Sequence, residues 1–111
     1  MIKKQTVVDQ IEITRDGTMQ VRFGLLLVED GVVINCQWHR TSIEPGGDVG
    51  AQIATVSNHL GQAELAPGIA GKYPAVSLVD SERVRAHALV AWTPEVVTAY
   101  KAKVSAMDTS K

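Results

Sequence analysis

Residues 13–43 read ITRDGTMQVRFGLLLVEDGVVINCQWHRTSI, and this stretch decides the fold class. Two Asp-Gly pairs, Asp16-Gly17 and Asp30-Gly31, separate runs in which apolar and polar residues alternate. Asp-Gly between such runs is a strong hairpin signal, because the primed turns that match strand twist require positive φ. Strands are expected over residues 7–14, 18–29 and 32–43. The front of the chain is therefore a three-stranded antiparallel meander.

Alternation then sorts side chains onto faces. In the first strand Ile11 and Ile13 oppose Gln10, Glu12 and Thr14. In the second Met19, Val21, Phe23, Leu25 and Leu27 share a face from which Gln20 and Arg22 point away. That contrast marks a sheet with one buried face. In the third strand Val32, Ile34, Cys36 and Trp38 alternate with Asn35, Gln37, His39 and Thr41. The apolar set is expected inward, with Trp38 closing the core edge and Arg40 reaching the sheet rim. Leu25, Leu26, Leu27 and Val28 are apolar on both faces, so a helix or another subunit must cover the second face there. Exposed apolar surface on a small domain marks an interface.

Glu44-Pro45-Gly46-Gly47 stops the sheet, and the back half changes period. Asp48 is a good N-cap, and Val49, Ile53, Val56 and Leu60 recur at helical spacing. Gly61 stands where a helix would end on a left-handed residue. The expected helix, about residues 49–60, lays its apolar stripe on the sheet. Pro67, Gly68, Gly71 and Pro74 make residues 62–76 an irregular loop, a second candidate for function. Ser77 or Asp80 caps a helix running to about Trp92. Thr93-Pro94-Glu95 opens another, with Val96, Val97, Tyr100, Val104 and Met107 on its apolar side. The class is α+β: a single domain over residues 1–111, with the meander in 1–44, a helix in 48–61, the loop in 62–76 and two helices in 77–107.

Composition narrows the function classes. Of 111 residues, 45% are hydrophobic and 21% charged, which suits an ordered globular chain, and the net charge is −1. No basic stripe of the kind nucleic-acid binders carry is visible; Lys3-Lys4 and Lys101/Lys103 read as solvated ends. Cys36 is the one cysteine, which rules out an intrachain disulfide and a cysteine metal cluster. No run approaches the roughly 18 apolar residues of a membrane span, and the opening residues do not resemble a signal peptide. Synthesis in the cytoplasm is the expectation.

Candidate chemistry is sparse. His39, His59 and His87 lack the short spacing of a zinc motif. Gly46-Gly47-Asp48-Val49-Gly50 precedes a helix as phosphate-binding turns do, but Asp48 places a carboxylate where the anion would sit. The serines have no nucleophile elbow. Glu82 and Glu95 suit the helix starts they occupy. No catalytic set, cofactor site or metal site is assigned, and the expectation is a protein that is not an enzyme.

From Trp38-His39-Arg40 through Pro45-Gly46-Gly47-Asp48 the chain resembles small proteins encoded in the tail and tail-fibre region of tailed-bacteriophage genomes. The likeness runs through Val8-Asp9-Gln10-Ile11-Glu12-Ile13-Thr14, Asp16-Gly17-Thr18, Val21-Arg22 and Val28-Glu29-Asp30-Gly31. It continues in Tyr73-Pro74-Ala75-Val76-Ser77 and Trp92-Thr93-Pro94-Glu95-Val96-Val97, and departs at residues 62–72, which are longer than such products suggest. These motifs are architectural, and no catalytic residue carries over. The resemblance implies a structural or adaptor protein of the virion, associated with the tail or tail tip and made in the host cytoplasm. Its partners would be other phage structural proteins or itself, as a homo-oligomer, with no nucleic acid and no membrane. The alternatives are a tail-fibre assembly chaperone absent from the mature particle, and a small ligand-binding domain or enzyme using His39 and Arg40. The interface candidates are Leu25, Leu26, Val28, Trp38, His39 and Arg40.

Overall fold

The computed structural model describes residues 2–62, 68–69 and 71–109, and the side chains among these except those of residues 62 and 107–109. Three strands, β1 (Ile2–Ile13), β2 (Met19–Glu29) and β3 (Val32–Ile43), form an antiparallel sheet in the order β1-β2-β3. Three helices follow: α1 (Val49–Gln62), α2 (Leu78–Ala91) and α3 (Pro94–Thr109). The expected α+β meander is the fold.

The two hairpin turns solve the same problem differently. Asp30 and Gly31 have φ of 52° and 80°, so the β2–β3 loop is a two-residue turn with both central residues left-handed. At the β1–β2 turn only Gly17 is left-handed, with φ of 94°, and five residues, 14–18, separate the strands. The Gly17 amide donates to the Thr14 carbonyl at 3.0 Å and the Thr14 amide to the Thr18 carbonyl at 2.9 Å. Asp16 fastens this turn from within. The Thr14 hydroxyl, then the Thr18 amide, donate to its carboxylate and hold its pKa well below the usual carboxylate range.

The inner face of β2 carries the core. Met19, Val21, Phe23, Leu25 and Leu27 are buried against Val49, Ile53, Val56 and Leu60 of α1 and Val84 and Ala88 of α2. The stripe read from the sequence thus lies on the sheet. Asp48 caps α1, its carboxylate accepting from the Ala51 amide at 3.0 Å. Gly61 is not a left-handed terminus; α1 continues through it to Gln62, and Gly61 keeps a negative φ. Of the expected loop, residues 63–67 and 70 lie outside the described residues. Residues 71–77 run along β1: the Lys4 ammonium donates to the Gly71 carbonyl at 2.6 Å and the Thr6 hydroxyl to the Pro74 carbonyl at 2.7 Å. Tyr73 is buried there in the core.

Ser77, not Asp80, caps α2, its hydroxyl accepting from the Asp80 amide. Asp80 serves the sheet instead, taking the Val8 amide beside a bulge in β1 at 2.9 Å. Thr93 opens α3 and accepts from the Val96 amide at 3.3 Å. This helix starts on the β1–β2 turn: the Trp92 indole donates to the Gly17 carbonyl at 2.7 Å, and a Cβ on Gly17 would stand 2.5 Å from Val96. Val104 is already exposed, and the side chain of Met107 lies outside the described residues.

The molecule measures 53 × 30 × 19 Å, with a radius of gyration of 16.6 Å. A compact domain of this length has about 13 Å. A thickness of 19 Å accommodates one sheet and one helix layer at about 10 Å each and no third layer. α1 and α2 pack on the Phe23 face, and α3 packs against the β1–β2 turn and Gly46 at the end of the sheet; among the described residues no helix packs on the face of Leu26 and Trp38.

Candidate functional site

That open face is the candidate site. Its residues follow from the register. Arg22 pairs with Gln10 and Arg40, Gly24 with Val7 and Trp38, Leu26 with Gln5 and Cys36, and Val28 with Lys3 and Val33. The polar end holds Gln10, Glu12, Gln20, Arg22, Arg40 and Ser42, which border a shallow depression of about 460 Å³. The other end is apolar: Val7, Leu26, Val28 and Cys36 are half-buried, and Val33 is exposed.

Trp38 stands where the two ends meet, 51% exposed. It is seated rather than loose. A Cβ on Gly24 would come within 3.5 Å of the Trp38 ring and 3.1 Å of Val7, so the missing side chain is the seat. The Arg22 guanidinium lies 4.2 Å from the ring centroid, a cation–π contact. Its Nε donates to Asp9 Oδ2 at 2.8 Å, and Nη2 donates to the same oxygen. Asp9 is the extra residue of the β1 bulge between Val8 and Gln10. A bulge re-aims a side chain, and here it delivers a carboxylate to the open face. Asp9, Arg22 and Trp38 so tie three strands together across the face.

The sequence-based candidates divide. Leu26, Val28, Trp38 and Arg40 lie on the open face. Leu25 is in the core at 3% exposure, because it alternates with Leu26. His39 lies on the helix side, its ring stacked on His59 of α1 with centroids 5.3 Å apart, and 6.2 Å from Phe23. Burial, and secondly the charge of His59, push its pKa down. His87 is elsewhere, its Nδ1 2.7 Å from the Arg83 carbonyl. Thr41 also faces inward, its hydroxyl accepting from the Gln52 amide at 2.6 Å.

Cys36 and Trp38 therefore face opposite to expectation, and Trp38 does not close the core edge. The reason is one residue. From the two-residue turn, Glu29 pairs with Val32 and Val28 with Val33; continued unbroken, that register would set Ile34 opposite Leu27 and Trp38 opposite Phe23. Instead Asn35 pairs with Leu27 and His39 with Phe23, leaving Ile34 as the extra residue of a bulge. A one-residue slip exchanges the faces of everything beyond it. The polar set Asn35, Gln37, His39 and Thr41 goes toward the helices, and Cys36, Trp38 and Arg40 go outward.

Chemically, the open face offers apolar contact, one indole and charges of both signs. Among the described residues no three His, Cys, Asp or Glu side chains are grouped to hold a metal ion, and no helix is long and apolar enough to cross a membrane. No protein-family model matches the chain, and no curated protein or solved structure matches it.

Proposed function

We propose that this chain is a small structural or adaptor protein that works by protein–protein contact, with the open sheet face as its contact surface. The observation that carries the reading is Trp38, half-exposed but fixed on Gly24 and Arg22, beside the apolar side chains of Leu26, Val28 and Val33. Rigid aromatic anchors flanked by apolar surface and rimmed by charge are the anatomy of protein interfaces. The reading assigns no catalytic residue. The setting is a tailed-phage particle, in the tail or tail-tip region, and this rests on the resemblance in the strand, turn and cap motifs.

Quantitative mass spectrometry of purified particles against the infected-cell lysate tests it. A fixed copy number per particle, matching the tail symmetry, is the expected result. Abundance in the lysate with absence from particles would overturn the virion role in favour of an assembly chaperone.

A further inference from the structure

Resting on that reading of the open face, we infer that its occupant is a second copy of this chain. The two sheets pack face to face about a two-fold axis parallel to β2, so that β1 of each copy lies over β3 of the other.

Size is the first argument. Three strands of about 12 residues, at about 3.3 Å per residue and about 4.8 Å between strands, make a face of about 40 by 14 Å. Two such faces in contact bury about 1,100 Å², above the roughly 1,000 Å² that separates specific interfaces from incidental ones. A 19 Å thick, two-layer chain becomes a four-layer helix–sheet–sheet–helix body, and sheets stacked this way are a standard architecture.

Charge order is the second. An isologous interface must be complementary to itself. On the open face the acids are on β1, Asp9 and Glu12, whereas β3 carries Arg40. An axis along β2 sets each acidic strand over the partner's basic one. Glu12 is two residues from Gln10, the β1 residue level with Arg40, within reach of a guanidinium. The axis also sets Arg22 against Arg22 of the other copy, each guanidinium already paired with Asp9 and stacked on Trp38 of its own copy. The same axis puts Leu26 against Leu26 and Trp38 over Val7. Lys3 lies over Val33, where its aliphatic stem can rest. An axis across the strands would instead lay Leu26 over Arg22 and Arg40 over Cys36, desolvating Arg40 with no acid opposite, a costly arrangement.

Light scattering and sedimentation of the purified full chain, from about 1 to about 100 µM, test the inference. A concentration-dependent dimer is expected. Arg40→Glu, on an exposed side chain, should weaken it roughly tenfold or more, and Glu12→Arg in the same chain should restore it. Leu26→Asp should give a monomer with an unchanged circular dichroism spectrum. A wild-type monomer across the range overturns self-pairing, and if mass spectrometry then finds the chain in particles, the contact-surface reading survives with another occupant. A dimer indifferent to Arg40→Glu and to the charge exchange overturns the geometry, pointing to pairing along the β3 edge. A charge-sensitive dimer absent from particles leaves this inference standing and removes the virion role.

Discussion

Leu25 and Leu26 are the same residue type, adjacent on the same strand, yet one is sealed in the core and the other lies on bare sheet. The faces they belong to differ in kind. The inner face is apolar along β2, where α1 and α2 cover it, and polar along β3, where His39 and Thr41 meet His59 and Gln52. The outer face is apolar toward the β2–β3 turn and charged toward the other end. A chain that only needed to bury its own apolar residues would turn Cys36 and Trp38 inward and leave Asn35, Gln37 and His39 to water. This one turns Cys36 and Trp38 outward and His39 and Thr41 toward the helices, with Asn35 and Gln37 still exposed, through a single bulge residue, Ile34. Such an inversion costs intrachain burial and creates a surface, which is the pattern expected when a partner supplies the cover.

A carboxylate placed at each leucine in turn should separate the two faces by the widest margin. Leu25→Asp should unfold the chain, since a charge buried without a partner costs more than about 4 kcal/mol, most of what a small domain has. Leu26→Asp should leave thermal unfolding nearly unchanged at protein concentrations low enough for the wild type to be monomeric. Similar losses from both, read by circular dichroism melts, would mean that both faces are core.

Filling the seat of Trp38 comes next. Gly24→Val must push Val7 and Trp38 aside, and overpacking of this kind costs about 1–3 kcal/mol. Trp38 emission should move toward that of a solvated indole while the melt stays cooperative. An unchanged spectrum would mean that Trp38 is not held by Gly24.

Much of this architecture was legible in advance. Asp-Gly turns, the Asp48 cap, the Val49, Ile53, Val56 and Leu60 stripe and the Thr93-Pro94 restart are local signals, and each is realised where the sequence puts it. The facing of β3 was not legible. Alternation assigns residues to two sets but does not say which is inside. The turn register suggests the wrong answer, and a bulge at Ile34 has no glycine or proline to announce it. The Asp9 bulge in β1 is equally silent. The candidate site suffered accordingly: His39 and Leu25 leave it, whereas Leu26, Val28, Trp38 and Arg40 remain. Gly61 misled for a related reason, since packing of Leu60 in the core carries α1 past a residue that locally favours a stop.

The inner polar patch makes its own prediction, smaller than the substitutions above. His39 titrates below its ordinary value of 6.5 when folded, because of burial and then the nearby charge of His59. The unfolded chain therefore binds that proton more readily. The contribution of neutral His39 is complete above about pH 6.5 and declines as pH falls below it. Urea midpoints should drop between about pH 7.5 and 5.5, and His39→Gln should flatten the slope. An unaltered slope in that variant would remove His39 as its source.

The smallest effect belongs to the outer clamp. Asp9→Asn should cost about 1 kcal/mol or less, since its pair with Arg22 is partly exposed and screened by solvent. The loss should shrink further in high salt. A cost of several kcal/mol would place the pair in a drier setting than the open face provides.

The outward turn of β3, onto the surface proposed for a partner, is most directly tested at Cys36, the one thiol in the chain. Its rate of reaction with a thiol reagent should be measured in native buffer across a range of protein concentrations. The open-face arrangement predicts modification of the dilute native chain without denaturant, and progressive protection as concentration rises and the faces meet. Modification only when the chain is globally unfolded, at every concentration, would put Cys36 inside and contradict the account.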